Sequence, residues 1–286
     1  MIEFFDALRN PNGLFLRYAL LAGVLASVSF GIVGSYVVTR RITYIAAAIS
    51  HCVLGGIGAA LYLNVACGWQ WCNPMQGALA AALLSAIVIG LVSLYARQRE
   101  DTVISAVWAL GMAIGLVFLY KAHNYNRAMS FLFGDINLVG ARDVWTVLAM
   151  NAVVVVLGLG FYPKLLALCF DEEFAELRGV RTKLLYMMLL CLTAIAVVLL
   201  VRVVGIVLVI ALLTLPAAIA GHFVRQLWQM MALAVVCCMA VVTAGIAVSY
   251  PLDVPSGPVI ILIAGAAYLA ATLIAALRRR GRRSRI

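Results

Sequence analysis

Apolar residues in this chain collect into long runs and do not alternate or fall at heptad spacing. The runs lie at about Leu14–Val38, Tyr44–Ala66, Met75–Tyr95, Thr102–Tyr120, Val144–Phe161, Leu184–Val201, Val203–Gly221, Trp228–Tyr250 and Ser256–Leu277. A helix needs about 20 apolar residues to cross a hydrocarbon layer roughly 30 Å thick. In that layer every backbone N–H and C=O must be bonded within the segment, so such runs predict helices. The fold expected is all-α, a polytopic integral membrane protein with eight to nine transmembrane helices. Pro216 interrupts the seventh run, which is expected to be short or broken. The amphipathic stretch Ile2–Tyr18 suits an interfacial lie, with residues 1–13 as an N-terminal interfacial segment. The first run leads straight into Arg40 and Arg41 with no small-residue cleavage site, so it is not expected to be a cleaved signal peptide.

With 66% hydrophobic and 11% charged residues over 286 positions, one transmembrane domain, residues 1–286, uses nearly the whole chain. That leaves no room for a soluble catalytic domain. Basic residues then set the orientation, because cytoplasmic loops accumulate them. If the C-terminus is cytoplasmic, the inner set is Arg40, Arg41, Arg97, Arg99, Lys164, Arg178, Arg181, Lys183, Arg225 and the arginines of the tail 278–286, which is 15 of the 21 basic residues. Lys121, Arg127, Arg142 and Arg202 fall outside, and the N-terminus is extracytoplasmic if all nine runs cross. The formal charge of +10 is therefore read as topology and attraction to anionic inner-leaflet lipid, not as nucleic-acid binding.

The cysteines form no metal-ligand pattern. Cys67 and Cys72 share a short outer loop, CGWQWC, as either a disulfide or two free thiols; Cys52, Cys191, Cys237 and Cys238 lie in apolar helices as small hydrophobes. No acidic residue falls near the centre of a run. Asp171, Glu172, Glu173 and Glu176 cluster instead in FDEEFAELRGVRTK, within the cytoplasmic loop 169–183. There Phe170 and Phe174 at i,i+4 and a stop at Gly179 suggest a short amphipathic helix, fit to dock on another protein or simply to be solvated.

One ionisable group does sit deep in an apolar run. His51, in RRITYIAAAISHCVLGGIG, is costly at that depth, which points to a transport pathway. The competing reading is a neutral histidine that fixes helix packing. His123, in the outer loop with Asp135 as a candidate helper, and His222, on the inner side, have weaker placements. Around His51, Ala46 to Ala48, Gly55, Gly56 and Gly58 allow close helix approach, while Gly205 and Pro216 bracket a segment able to bend. The loop Tyr250–Pro258 is a candidate outward contact.

The succession RRITYIAAAISHCVLGGIG, FLFGDI (Phe131–Ile136), FDEEFAELRGV, VVGIVLVIALLTLPAAIAG and PSGPVIILIAG resembles the permease subunits of metal-type ABC importers, which take up zinc, manganese or ferrous iron. The matches are collinear from about residue 14 to residue 277. The resemblance implies a homodimer with a conduction path at its interface, driven by a cytoplasmic ABC ATPase dimer and fed by an extracytoplasmic metal-binding protein. It makes the loop helix, with Asp171, Glu172, Glu173, Ala175 and Gly179, the coupling helix to the ATPase. The chain has no GxxxxGK[ST] phosphate loop, so ATP is used by the partner and the chain is not itself an enzyme. No cofactor is expected on the chain, and the metal is its cargo. The implied address is a bacterial inner or plasma membrane.

The family's metal motif has the form Asp-Ala-x-Ser-His, which places a carboxylate and an imidazole on one helical face. Here the stretch is Ala47-Ala48-Ile49-Ser50-His51. The histidine is kept and Ala47 stands where the aspartate would be. Two copies of His51 across a dimer would give a two-imidazole site with two fewer negative charges. Imidazole without carboxylate favours zinc over manganese, which prefers oxygen ligands. Zinc is thus the expected cargo, ahead of manganese and ferrous iron. A permease for a chelated metal or other small solute, and a stand-alone secondary transporter, are the alternatives. An intramembrane enzyme is disfavoured, since neither HExxH nor GxSxG occurs.

Overall fold

The computed structural model describes residues 14–69, 72–95, 100–123, 131–132, 140–252 and 254–283. The interfacial segment 1–13, most of FLFGDI with Asp135, Arg97, Arg99, Arg127 and the end of the tail lie outside the described residues. Helices are α1 (Leu14–Arg40), α2 (Thr43–Cys67), α3 (Pro74–Tyr95), α4 (Glu100–Lys121), α5 (Ala141–Gly160), α6 (Tyr162–Phe170), α7 (Glu172–Leu177), α8 (Thr182–Val204), α9 (Ile206–Phe223), α10 (Leu227–Leu252) and α11 (Ser256–Arg283). Among the described residues there are no strands. This is an all-α polytopic membrane protein.

Among the described residues seven helices, α1 to α4 and α9 to α11, are long and apolar enough to cross a membrane. An eighth span results if α5 and α6, bent by 68° at Phe161, are taken together. α5 ends where the expected fifth run does, at this bend. Lys164, placed in the inner basic set, lies within α6, which Pro163 helps to start because its missing N–H is unneeded in a first turn. The seventh run is corrected. α9 runs through Pro216, which is buried in it, and the chain breaks earlier, at Gly205. There φ is +83° and ψ is 160°, a conformation open to glycine and to few other residues.

α1 and α2 are the most buried helices, and α4 and α11 are largely exposed. α2 is flanked by α3 and α4; α9, α10 and α11 pack together on the other side, with α1 against α10, α9 and α5; α8 and α9 link the two groups. Lipid is as apolar as leucine, so helices associate by close packing and by hydrogen bonds in place of a hydrophobic drive. Both appear here. Tyr36 donates to the Gly158 carbonyl at 2.8 Å, and buried Ser29 pairs with Asn151, fixing α1 on α5. Ser27, Ser35 and Thr193 return their hydroxyls to carbonyls four residues back, which satisfies them without a partner helix.

The crossings of α2 use glycine against backbone. A Cβ placed on Gly55 would lie 2.9 Å from the Gly111 carbonyl oxygen of α4, and one on Gly58 would lie 2.6 Å from that of Gly115. On the other side Gly56 meets the Gly77 carbonyl of α3 just as closely. The interhelical space therefore holds no side chain at these points. Cys67 and Cys72, beyond this crossing, are both free thiols.

The corner from α1 to α2 is also tight. Arg41 takes φ +62°, its N–H donates to Val38 O at 3.2 Å and that of Ile42 to Val37 O at 3.0 Å. This is the Schellman pattern with arginine in the left-handed position usually given to glycine. α2 begins at once, with Ala46 N–H on Ile42 O. The same end of the bundle holds Arg40, Tyr95 with Lys183 over its ring, the start of α10 through Thr39 and Met230, and Arg278 over Phe223. Residues assigned to the inner basic set thus share one end.

Gly55→Val and Gly58→Val should each destabilise the protein by about 1–3 kcal/mol, the range for overpacking a closed site. Gly265→Ala, with nothing within 4 Å of its added methyl, should be neutral. Thermal unfolding in a fixed detergent separates the two classes.

Candidate functional site

His51 lies on the third turn of α2, and its helical neighbours Ala47 and Ser50 are buried. The Ser50 hydroxyl donates to Ala46 O at 2.8 Å, so it is turned back on its own helix. Opposite, on α4, Trp108 stacks on the imidazole with ring centroids 4.5 Å apart and planes 13° from parallel. Next to it, Cys52 Sγ donates to Val107 O at 3.2 Å. The glycine crossings one and two turns farther along α2 bring α4 near enough for this stack.

The imidazole is half-buried, and its Nδ1 has no hydrogen-bond partner. A packing histidine would be expected to satisfy that nitrogen, because leaving it buried and unpaired costs about 1–3 kcal/mol. The carbonyl contact of the packing reading is not made at Nδ1. Among the described residues no three His, Cys, Asp or Glu side chains come together as metal ligands. One chain thus offers a single imidazole here, with the Ala47 methyl where a carboxylate would complete a ligand pair.

The other histidines are apart from this place. His123 follows α4 in a turn with φ +55°. His222 ends α9, with its ring 6.2 Å from that of Tyr268. Neither joins His51.

The loop expected to hold an amphipathic helix does so in α7, but Phe170 ends α6 and the extended backbone at Asp171 separates it from Phe174, so the expected i,i+4 pair does not share one helix. Asp171 is its N-cap, accepting the Phe174 N–H at 2.9 Å; Glu172 and Glu173 occupy its first turn, where the helix dipole favours acids. Its end is a second Schellman turn. Gly179 has φ +76°, with Gly179 N–H on Glu176 O at 2.8 Å and Val180 N–H on Ala175 O at 3.0 Å. Ala175 is buried and anchors the helix, while Phe170, Phe174 and Leu177 are exposed. Leu177 is 87% exposed, an apolar residue that the chain's own packing does not use. The fixing contacts come from elsewhere. Glu172 pairs with Arg40 at the end of α1, and Thr182 donates to Glu176.

The pattern of the chain matches one described family, the ABC 3 transport family, over residues 13–275. The chain belongs to the ABC 3 transport family. It is 38% identical over 257 residues to the "Probable metal transport system membrane protein" of Chlamydia trachomatis, covering 90% of this chain and 87% of that one. It is 30% identical over 261 residues to the "Manganese transport system membrane protein MntC" of Listeria monocytogenes, with 91% of each chain covered. A solved structure, "PsaBC from Streptococcus pneumoniae in complex with Fab", contains a chain of the same fold. The TM-score is 0.83 at 28% identity, with 95% of each chain covered.

Trp108 and Arg40 are the residues that sequence reasoning missed in these two places. Nothing in the local pattern around either marks its partner, which is more than 50 positions away.

His51→Phe keeps an aromatic face for Trp108 and removes the unpaired nitrogen, so it should be at least as stable as the native protein. His51→Ala loses the stack, worth about 0.5–1.5 kcal/mol between aromatic rings, and should melt earlier. Both are read by thermal unfolding in detergent.

Proposed function

We propose that this chain is the permease subunit of an ATP-driven importer for a divalent transition-metal cation, with manganese as the favoured cargo. The observation that carries this reading is the unpaired Nδ1 of His51, whose half-buried imidazole is stacked on Trp108 between α2 and α4, in a chain of this family. An imidazole with a free nitrogen is a ligand for first-row divalent metals. Kinship supplies the choice of metal, since relatives that cover most of this chain are named for manganese. The expectation of zinc rests on a different observation, Ala47 in place of a carboxylate, and zinc is the second reading.

In this reading two copies pair, and the two His51 side chains face a shared path. The C-terminus is cytoplasmic, in a bacterial inner or plasma membrane, which puts the shared basic end on the side of anionic lipid. α7 is the coupling helix. It offers exposed Phe174 and Leu177, with Phe170 at the end of α6 beside them, to a cytoplasmic ATPase, while Asp171, Glu172, Glu173, Ala175 and Gly179 cap, position and end it. A binding protein delivers the cation from outside. ATP binding moves the ATPases together, and the coupling helices carry that motion to helices whose glycine crossings allow α2, α3 and α4 to move as one block. Gly205 lets α8 and α9 turn relative to each other, and Pro216 leaves a weakened hydrogen-bond ladder in α9. No bond in the cargo is made or broken.

Metal-starved cells expressing the chain with its ATPase and binding protein should accumulate manganese above zinc and ferrous iron supplied at equal low concentration, read by elemental analysis. His51→Phe should lose that accumulation while its stability is retained. Equal accumulation in His51→Phe would return His51 to a packing role, and preferred zinc accumulation would establish the second reading. In the same cells, Ala47→Asp should raise manganese retention relative to zinc, because a carboxylate adds a hard oxygen ligand and a negative charge to the path.

A further inference from the structure

Arg40 is the last residue of α1, and three different elements converge on its guanidinium. It pairs with Glu172 in the first turn of α7. Its Nη1 donates to Leu168 O, near the end of α6, at 3.2 Å. Its carbon lies 5.9 Å from the centre of the Tyr186 ring on α8. A planar guanidinium meets a carboxylate, a carbonyl and a ring face together; a lysine ammonium has no such geometry. Arg40 and Glu172 are each partly exposed, at 26% and 34%, so the pair sits at the membrane surface and is not a sealed core contact.

What lies on either side of this pair gives it a mechanical consequence. Toward α7, the helix is short and closed by the Gly179 turn, so it moves as a unit. Toward α2, the Arg41 turn leaves no slack between the end of α1 and the start of the helix that carries His51. A polar cavity of about 310 Å³ opens beside the pair, lined by Arg40, Arg41, Tyr44, Ser93, Glu172 and Tyr186. It gives the pair room to shift without a clash.

We propose that Arg40, through Glu172, is the positioning residue that carries displacement of α7 into the α1–α2 corner and so to the His51 helix. This rests on the reading of α7 as the coupling helix. An exposed ion pair alone is worth about 0.2–1 kcal/mol, and here the same guanidinium also holds the Leu168 carbonyl and the Tyr186 ring, so the coupling it carries is that of the whole set of contacts.

The test uses the full complex of permease, ATPase and binding protein in proteoliposomes, measuring manganese(II) moved per ATP hydrolysed. Arg40→Gln and Glu172→Gln should each lower that ratio at least about fivefold, the smaller end of ordinary site-to-site coupling. The double variant should be no lower than either single, because residues acting as one unit are not additive. Arg40→Lys should recover part of the ratio. An unchanged ratio in either single variant, transport and hydrolysis falling together, or losses that multiply in the double variant would overturn the proposal. Should Arg40→Gln fail to insert, the surface change Glu172→Gln decides alone. A separate arm, Phe174→Asp, reads the docking role of α7. Loss of ATPase on purification supports it; full retention of ATPase and of transport overturns the coupling-helix reading, whatever Arg40 does. A native complex that moves no manganese(II) would instead overturn the choice of cargo.

Discussion

Backbone-to-backbone contact of α2 with α3 and α4 is the constraint on which the rest depends. In lipid the apolar surface of a helix gains nothing by leaving its solvent, so helix pairs are held by dispersion at short range and by hydrogen bonds. Gly55 and Gly58 against Gly111 and Gly115, and Gly56 against Gly77, bring the three helices nearer than any side chain would allow. That nearness sets the distance between His51 and Trp108, and it joins α2, α3 and α4 into one layer. A histidine on a helix so placed has one face of its ring covered by an indole.

The polar groups of the bundle divide into two kinds. Ser27, Ser35, Ser50 and Thr193 are spent on carbonyls of their own helices, and Tyr36 and Asn151 fasten α5 to α1. These need no functional explanation. The Nδ1 of His51 has no such outlet. Buried polar atoms without partners are uncommon in folded proteins, and one in a membrane-spanning helix is a candidate functional group. The contrast within one chain is more informative than the presence of a histidine alone.

At the basic end the structure joins local rules to a longer-range purpose. Asp171 caps α7, acids fill its first turn and Gly179 closes it, each for reasons internal to six residues and their flanks. The helix nonetheless leaves Phe174 and Leu177 exposed, so these apolar side chains are turned away from its own protein. Arg40 meets it from 132 positions earlier in the chain, beside a turn where Arg41 accepts the left-handed conformation at some cost. A rigid turn on each side of one ion pair makes the two ends of that pair move together.

The sequence by itself determined the helices, because runs of apolar residues of spanning length admit no other backbone state in lipid. It also carried the short capped helix at residues 172–177, whose signals lie within a few positions, and the place of His51 inside an apolar helix. Small residues announced that α2 packs closely, although not on what. Three matters were decided by tertiary structure. The chain bends at Phe161 and breaks at Gly205 while passing straight through Pro216, because neighbouring helices hold α9 together and the local sequence does not weigh those contacts. Trp108 finds His51, and Arg40 finds Glu172, only after α4 and α7 are placed by contacts far apart in the chain. Periodicity and capping act over a few residues, whereas the partner of a buried or charged group is chosen by whatever the fold brings within a few ångströms.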